Sequence, residues 1–115
     1  MPRLNAHELV DIVLDEGSFR SWDTAPIQPA GGVSEDYAAE LAAAAEKSGV
    51  DEAIITGEGT ISGRRVAVVV GEFRFLAGSI GVAAAERLVD AIERATLEGL
   101  PLLAGPASGG TRMQE

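Results

Sequence analysis

Apolar residues recur along this chain with two different periods, and the change of period divides it. Leu9, Val10, Ile12 and Val13 supply the apolar face of a short helix. Asn5 stands at its N-cap with Glu8 at the third helical position, and Gly17 ends the segment. From Ser21 to Val33 no period holds, and Pro26, Pro29, Gly31 and Gly32 forbid regular structure, so this stretch is a linker or a surface loop. Ser34 then caps a second helix with Glu35 and Asp36 in its first turn. Tyr37, Leu41 and Ala45, with Ala38 and Ala42, recur at helical spacing until Lys47-Ser48-Gly49 closes it.

From Ala53 the pattern becomes that of strands. Ala53-Ile54-Ile55-Thr56 and Thr60-Ile61 read as strand broken by Gly57 and Gly59, and Ser62-Gly63 as a two-residue hairpin turn. Val66 to Val70 is apolar without alternation, which describes a strand covered on both faces. The glycine-rich loop Leu76 to Gly81 feeds a helix predicted over 82–98, with an inner stripe of Ala85, Leu88, Val89, Ile92 and Ala95 and a surface pair of Asp90 with Arg94. Gly99 caps that helix, Leu100-Pro101 opens another strand, and the run Leu102-Leu103-Ala104 leads to Gly109-Gly110 at the start of a polar, helix-like segment. The order is α/β: N-terminal helices, then strand–strand–helix and strand again.

Composition narrows the function classes. A chain of 115 residues makes one domain, and 46% apolar content excludes disorder throughout. There is no cysteine, hence no disulfide, thiolate metal site or thiol nucleophile. No signal peptide opens the chain and no apolar run approaches membrane-spanning length, so a soluble, cytoplasmic protein is expected. The net charge of −9 lies wholly in residues 1–58, while residues 59–115 balance 6 basic against 6 acidic groups. An acidic front half argues against nucleic acid, and an anionic ligand belongs with the arginines of the back half.

The candidate chemistry is mostly main-chain chemistry. Glycines at a strand-to-helix junction let bare N–H groups approach a ligand, and the first amides of a helix favour negative charge. Gly109 and Gly110 therefore read as an oxyanion hole, and more plainly as a tight connection. Gly78-Ser79-Ile80-Gly81 lacks the lysine of a phosphate-binding P-loop and reads as a backbone approach to an extended cofactor or as a helix start with Ser79 as cap. Two such loops at the strand exits of one sheet fit the rule that open α/β sheets bind ligands beyond the carboxyl ends of their strands. Glu58, Glu72 and Glu115 are not paired by spacing, His7 is placed at the surface, and Ser108 lacks the surroundings of a nucleophile. Trp22 reads as a plug between linker and domain. No metal site is indicated. Any enzyme built this way relies on electrostatic stabilisation and a reactive group brought by a cofactor.

Several of these stretches resemble the carboxyltransferase beta subunit of bacterial acetyl-coenzyme A carboxylase. They are Leu14 to Phe19, Thr56 to Gly63, Phe73 to Gly81, Ala91 to Ala95, Leu100-Pro101-Leu102 and Ser108 to Glu115, in the family's order and covering nearly the whole chain. Ala77 replaces a usual glycine, Thr111 a usual alanine, and the four-cysteine zinc ribbon of many relatives is absent.

The resemblance implies a partial crotonase-like fold, with residues 1–33 as N-terminal helix and linker and residues 34–115 as an incomplete carboxyltransferase N-domain. It implies transfer of a carboxyl group from carboxybiotin to an acyl-CoA such as acetyl-CoA, giving malonyl-CoA for fatty acid biosynthesis. Gly109 and Gly110 would hold the thioester oxygen, and Ala77, Gly78, Ser79, Ile80 and Gly81 with Arg112 would line the coenzyme A site. Biotin arrives on a carrier protein. The implied partners are an alpha-type carboxyltransferase half, the biotin carboxyl carrier protein and biotin carboxylase, in a homo- or hetero-oligomer. Alternatives are a malonyl-thioester decarboxylase subunit or a non-catalytic module that binds acyl-CoA or a partner. As an N-terminal fragment, the chain alone is expected to be inactive, with sheet edges and apolar helix faces left open.

Overall fold

The computed structural model describes residues 5–24, 34–106, 110 and 112. Helix α1 (Ala6–Val13) starts at its capping box: Asn5 Oδ1 accepts the Glu8 amide at 2.7 Å, and the Asn5 amide donates to Glu8 Oε1 at 3.1 Å. Helix α2 (Glu35–Ser48) starts at Ser34, whose Oγ accepts the Tyr37 amide at 3.1 Å. Both starts are local chemistry, and both fall where the sequence places them.

Four strands form the sheet among the described residues, in the order β1 (Arg20–Ser21), β2 (Ile54–Ile61), β3 (Arg64–Gly71), β4 (Leu102–Gly105). The first three are antiparallel; β4 lies parallel to β3 after the crossover through α3 (Val82–Glu98). Ser62 and Gly63 turn β2 into β3 with φ of +51° and +79°, the two positive values a tight hairpin needs.

The apolar run of β3 is covered on both sides. Val68 and Val70, with Ile55 of β2, face a core shared with Ala6, Val10, Leu14, Ala44 and Phe75. Val69 and Ile54 face the other way, onto Ala84 and Ala91 of α3 with Trp22 and Leu88 beside them. The division expected at residue 33 lies outside the described residues; α1 shares its core with α2 and β3, and β1 joins the same sheet as β2.

Three local expectations change. Gly57 and Gly59 do not break β2. A Cβ on Gly57 would stand 2.5 Å from the Arg20 carbonyl oxygen and 2.7 Å from the Phe19 ring, and one on Gly59 would stand 2.5 Å from Leu14 Cδ1. Those glycines are gaps through which the 14–20 segment reaches the sheet. The inner face of α3 is Ala83, Ala84, Arg87, Ala91 and Ala95, while Val89 and Ile92 of the expected stripe are 50% and 44% exposed. Alanine lets the helix lie close to the sheet, so small size outranks hydrophobicity there. Arg94 pairs with Glu98 at 2.7 Å, one turn forward, and its guanidinium sits 4.3 Å above the Trp22 ring. Leu97 of α3 and Leu102 and Leu103 of β4 are also exposed.

Candidate functional site

Because β3 and β4 run parallel, their carboxyl ends lie side by side, with Val70 opposite Gly105. The loops that leave those ends meet. The Ile80 amide donates to the Gly110 carbonyl at 2.8 Å, and the Arg112 amide donates to the Ile80 carbonyl at 2.8 Å. Of the glycine doublet, Gly109 lies outside the described residues; Gly110 is exposed at φ +115°, with nothing within 4 Å of where a Cβ would be. Side chains rarely adopt that φ, so the position asks for glycine.

The other loop is wound tightly. Leu76, Ala77 and Gly78 take positive φ in succession, at +47°, +56° and +67°. The Gly78 amide closes on the Phe75 carbonyl at 2.9 Å and the Ser79 amide on the Leu76 carbonyl at 3.1 Å. The amides of Gly78, Ser79 and Ile80 thus serve the loops themselves. Ser79 is not the cap of α3: that position is Gly81, which supplies no side-chain bond. Two non-glycine residues in the left-handed region mark stored strain, of a kind that clusters at functional loops.

Arg112, expected beside the coenzyme, is 2% exposed. Its Nη1 donates to Glu52 Oε2 at 3.1 Å and to the Tyr37 hydroxyl at 3.3 Å, its Nη2 to Glu52 Oε1 and to the Ser79 carbonyl at 2.7 Å, and its Nε to Ser79 Oγ at 3.2 Å. Those acceptors match the five N–H donors of a guanidinium. It also lies 5.5 Å from the Phe75 ring centroid. Glu52, itself 3% exposed, is marked by no pattern in the sequence.

Two hollows flank the 76–81 loop. An apolar cavity of about 260 Å³ lies under the strand ends, lined by Ile54, Val69, Gly78, Ile80, Leu88 and Gly105 among others. A more open cleft of about 500 Å³ lies between α2 and the loop, where Lys47, Phe73, Arg74 and Ala77 face it. The first is lined by apolar groups, and the second carries both signs of charge, Lys47 and Arg74 with Glu40.

The remaining charged candidates have structural partners. Glu58 binds Arg65 at 2.6 Å, and that bond holds its carboxyl below the ordinary glutamate value. Glu72 is buried and accepts the Ala6 amide at 3.1 Å, anchoring the start of α1. Arg87, which no motif singles out, is buried on α3 and reaches the carbonyls of Ile54 and Thr24, both at 2.9 Å, and Asp51 at 2.8 Å. Its place in the helix period, among Ala83, Ala84, Ala91 and Ala95, was the available signal. His7 is exposed and Glu115 lies outside the described residues.

The mixed sheet, with β4 parallel to β3 after the α3 crossover, is part of a crotonase-type fold. Residues 2–115 match the carboxyl transferase domain, and the chain belongs to that family. It is 61% identical over 115 residues to the probable biotin-dependent acyl-coenzyme A carboxylase beta3 subunit of Mycobacterium tuberculosis, spanning 100% of this chain and 23% of that protein. It is 42% identical to the acetyl-coenzyme A carboxylase carboxyl transferase subunit beta of Chloroflexus aggregans, over 98% of this chain and 38% of that one. Among solved structures it superposes with TM-score 0.80 and 29% identity on transcarboxylase 12S, a hexamer with hydrolysed methylmalonyl-coenzyme A bound, covering 98% of this chain and 20% of that one. No helix among the described residues is long and apolar enough to cross a membrane.

Proposed function

We propose that this chain forms part of the coenzyme A side of a biotin-dependent acyl-CoA carboxyltransferase that converts acetyl-CoA to malonyl-CoA in cytoplasmic fatty acid biosynthesis. The observation that carries the reading is the backbone pairing of Ile80 with Gly110 and Arg112, which joins the segments that follow β3 and β4, in a chain of the carboxyl transferase family. The methylmalonyl-coenzyme A in transcarboxylase 12S supports coenzyme A thioesters as the ligand class. The Chloroflexus relative's name supports acetyl-CoA.

In this reading the thioester carbonyl lies against the main-chain N–H groups of Gly109 and Gly110. The α-proton would pass to the biotin nitrogen freed when carboxybiotin releases its carboxyl group as CO2, which the enolate then takes up; the negative charge on the thioester oxygen would be stabilised by those amides, most where water is excluded. Carboxybiotin on its carrier supplies the carboxyl group. The 260 Å³ cavity receives the acyl end, and Gly78 and Ile80 in its wall hold the chain that bears it. Lys47 and Arg74, which line the larger cleft with Glu40 and Ala77, outnumber its one carboxylate and offer net positive charge to the coenzyme's phosphates. An alpha-type half, the carrier and biotin carboxylase complete the machine, and the apolar exposure of Val89, Ile92 and Leu97 supports an oligomeric setting.

Calorimetry with acetyl-CoA, followed by a carboxyl-transfer assay with a carboxylated carrier and an alpha-type half, tests this. Binding is expected for the chain alone, with turnover only in the mixture. The absence of heat at millimolar acetyl-CoA overturns the coenzyme A reading, and turnover by the isolated chain overturns the division of the site. Malonyl-CoA decarboxylation without carrier would assign the other reaction of this fold.

A further inference from the structure

Arg112 follows Gly110 by two residues, yet its side chain turns back into the protein. Its guanidinium forms a fork with Glu52, touches the Tyr37 hydroxyl at 3.3 Å, and gives its remaining donors to the carbonyl and hydroxyl of Ser79. The Arg112 amide meanwhile bonds Ile80, whose own amide bonds Gly110. One residue thus holds both loops, by side chain on one and by backbone on the bridge between them.

We propose that the buried Arg112–Glu52 pair is a positioning device: it fixes Gly110 relative to the 77–81 loop and touches no ligand itself. This rests on the coenzyme A reading for its purpose, though not for its geometry. A planar guanidinium can hold a carboxylate with one edge and a carbonyl with the other at the same time. An ammonium is a single point of charge; in place of Arg112 it satisfies Glu52 and releases Ser79. A pair so buried contributes little net stability over an apolar replacement, which leaves definition of one geometry as its role. The strained turn at Leu76 to Gly78 needs such an anchor, since left-handed residues persist only where their surroundings over-determine them.

The test uses the 115-residue chain labelled with ¹⁵N, as wild type, Arg112→Lys and Glu52→Gln. Three quantities are read: melting temperature, hydrogen exchange of the Ile80 and Arg112 amides, and acetyl-CoA affinity. Arg112→Lys is expected to speed exchange at both amides at least tenfold relative to Gly63 in the hairpin and to weaken acetyl-CoA about tenfold, with a melting temperature close to wild type. Glu52→Gln leaves the buried guanidinium without its counter-charge; it is expected to lower the melting temperature as well as to speed exchange at both amides, and, read below its own melting temperature, it decides the matter if the lysine variant does not fold. Unchanged exchange at Ile80 in a folded variant overturns the proposal. If wild type does not bind acetyl-CoA while the exchange effect is seen, positioning stands and the coenzyme A reading falls.

Discussion

The two ends of the sheet solve one problem with opposite means. At the hairpin end, the Asp15 carboxylate accepts the Thr60 hydroxyl at 2.7 Å, the Gly63 amide at 2.9 Å and the Ser62 amide at 3.0 Å, in full solvent. At the loop end, Arg112 gathers Glu52, Tyr37 and Ser79 while almost wholly out of water. Each is a charged group that ties down a strained turn. Water screens the first, so it contributes modestly and locally. Burial makes the second decisive, because a charge left alone there has no water to turn to. The cavities and glycine loops that define the candidate site lie at the second end. The hairpin end is built to be stable; the loop end is built to be particular.

The contrast can be broken most sharply by leaving Glu52 without its partner. Arg112→Met should destabilise the chain by about 3–5 kcal/mol, the usual result of removing one member of a buried pair, as read by urea unfolding. A loss under about 1 kcal/mol, the range of an exposed pair, would mean that water reaches Glu52. Next in size is Gly57→Ala, where the new methyl meets the Arg20 carbonyl oxygen at 2.5 Å. It should cost about 1–3 kcal/mol and free β1 from the sheet without altering acetyl-CoA affinity. Ala77→Gly should act in the opposite direction: at φ +56°, removing the Cβ should relieve about 1 kcal/mol of strain and raise the melting temperature.

Smallest is the hairpin effect. Hydrogen bonding from Thr60, then Gly63 and Ser62, lowers the Asp15 value below that of a free aspartate. Its contribution is therefore complete above the unfolded value of about 3.9 and is lost as pH falls through the lower folded value. Asp15→Asn should lower the unfolding midpoint slightly at neutral pH, and the gap from wild type should close in acid. A gap that widened on acidification would contradict the bonding at that end.

Local chemistry was legible in the sequence; distant closure was not. The caps at Asn5 and Ser34 and the hairpin at Ser62-Gly63 depend on near neighbours along the chain, and all three stand as expected. The double-sided burial of β3 could be read from its unbroken apolar run. Gly57 and Gly59 looked like strand breakers because the groups that fill their space, from Phe19 and Leu14, belong to a distant part of the chain. On α3, ranking residues by hydrophobicity chose Val89 and Ile92, whereas close approach to the sheet selected alanine. Arg112 is expected from the sequence to line the coenzyme A site, and no pattern in the chain announces its buried partner. Only the fold brings Glu52, 60 positions earlier, to meet it. The meeting of the two glycine loops agrees with the rule for parallel neighbours, since strand direction sets where the loops emerge, though Gly109 itself lies outside the described residues.

The most direct test of the account is a titration of the ¹⁵N-labelled chain with acetyl-CoA, following the amides of Gly78, Ile80 and Gly110 against those of Ser62 and Gly63. Saturable shifts at the first three, with the hairpin pair unmoved, are the predicted result. Shifts confined to the hairpin, or none anywhere at millimolar ligand, would contradict the claim that the crossed glycine loops hold a coenzyme A thioester.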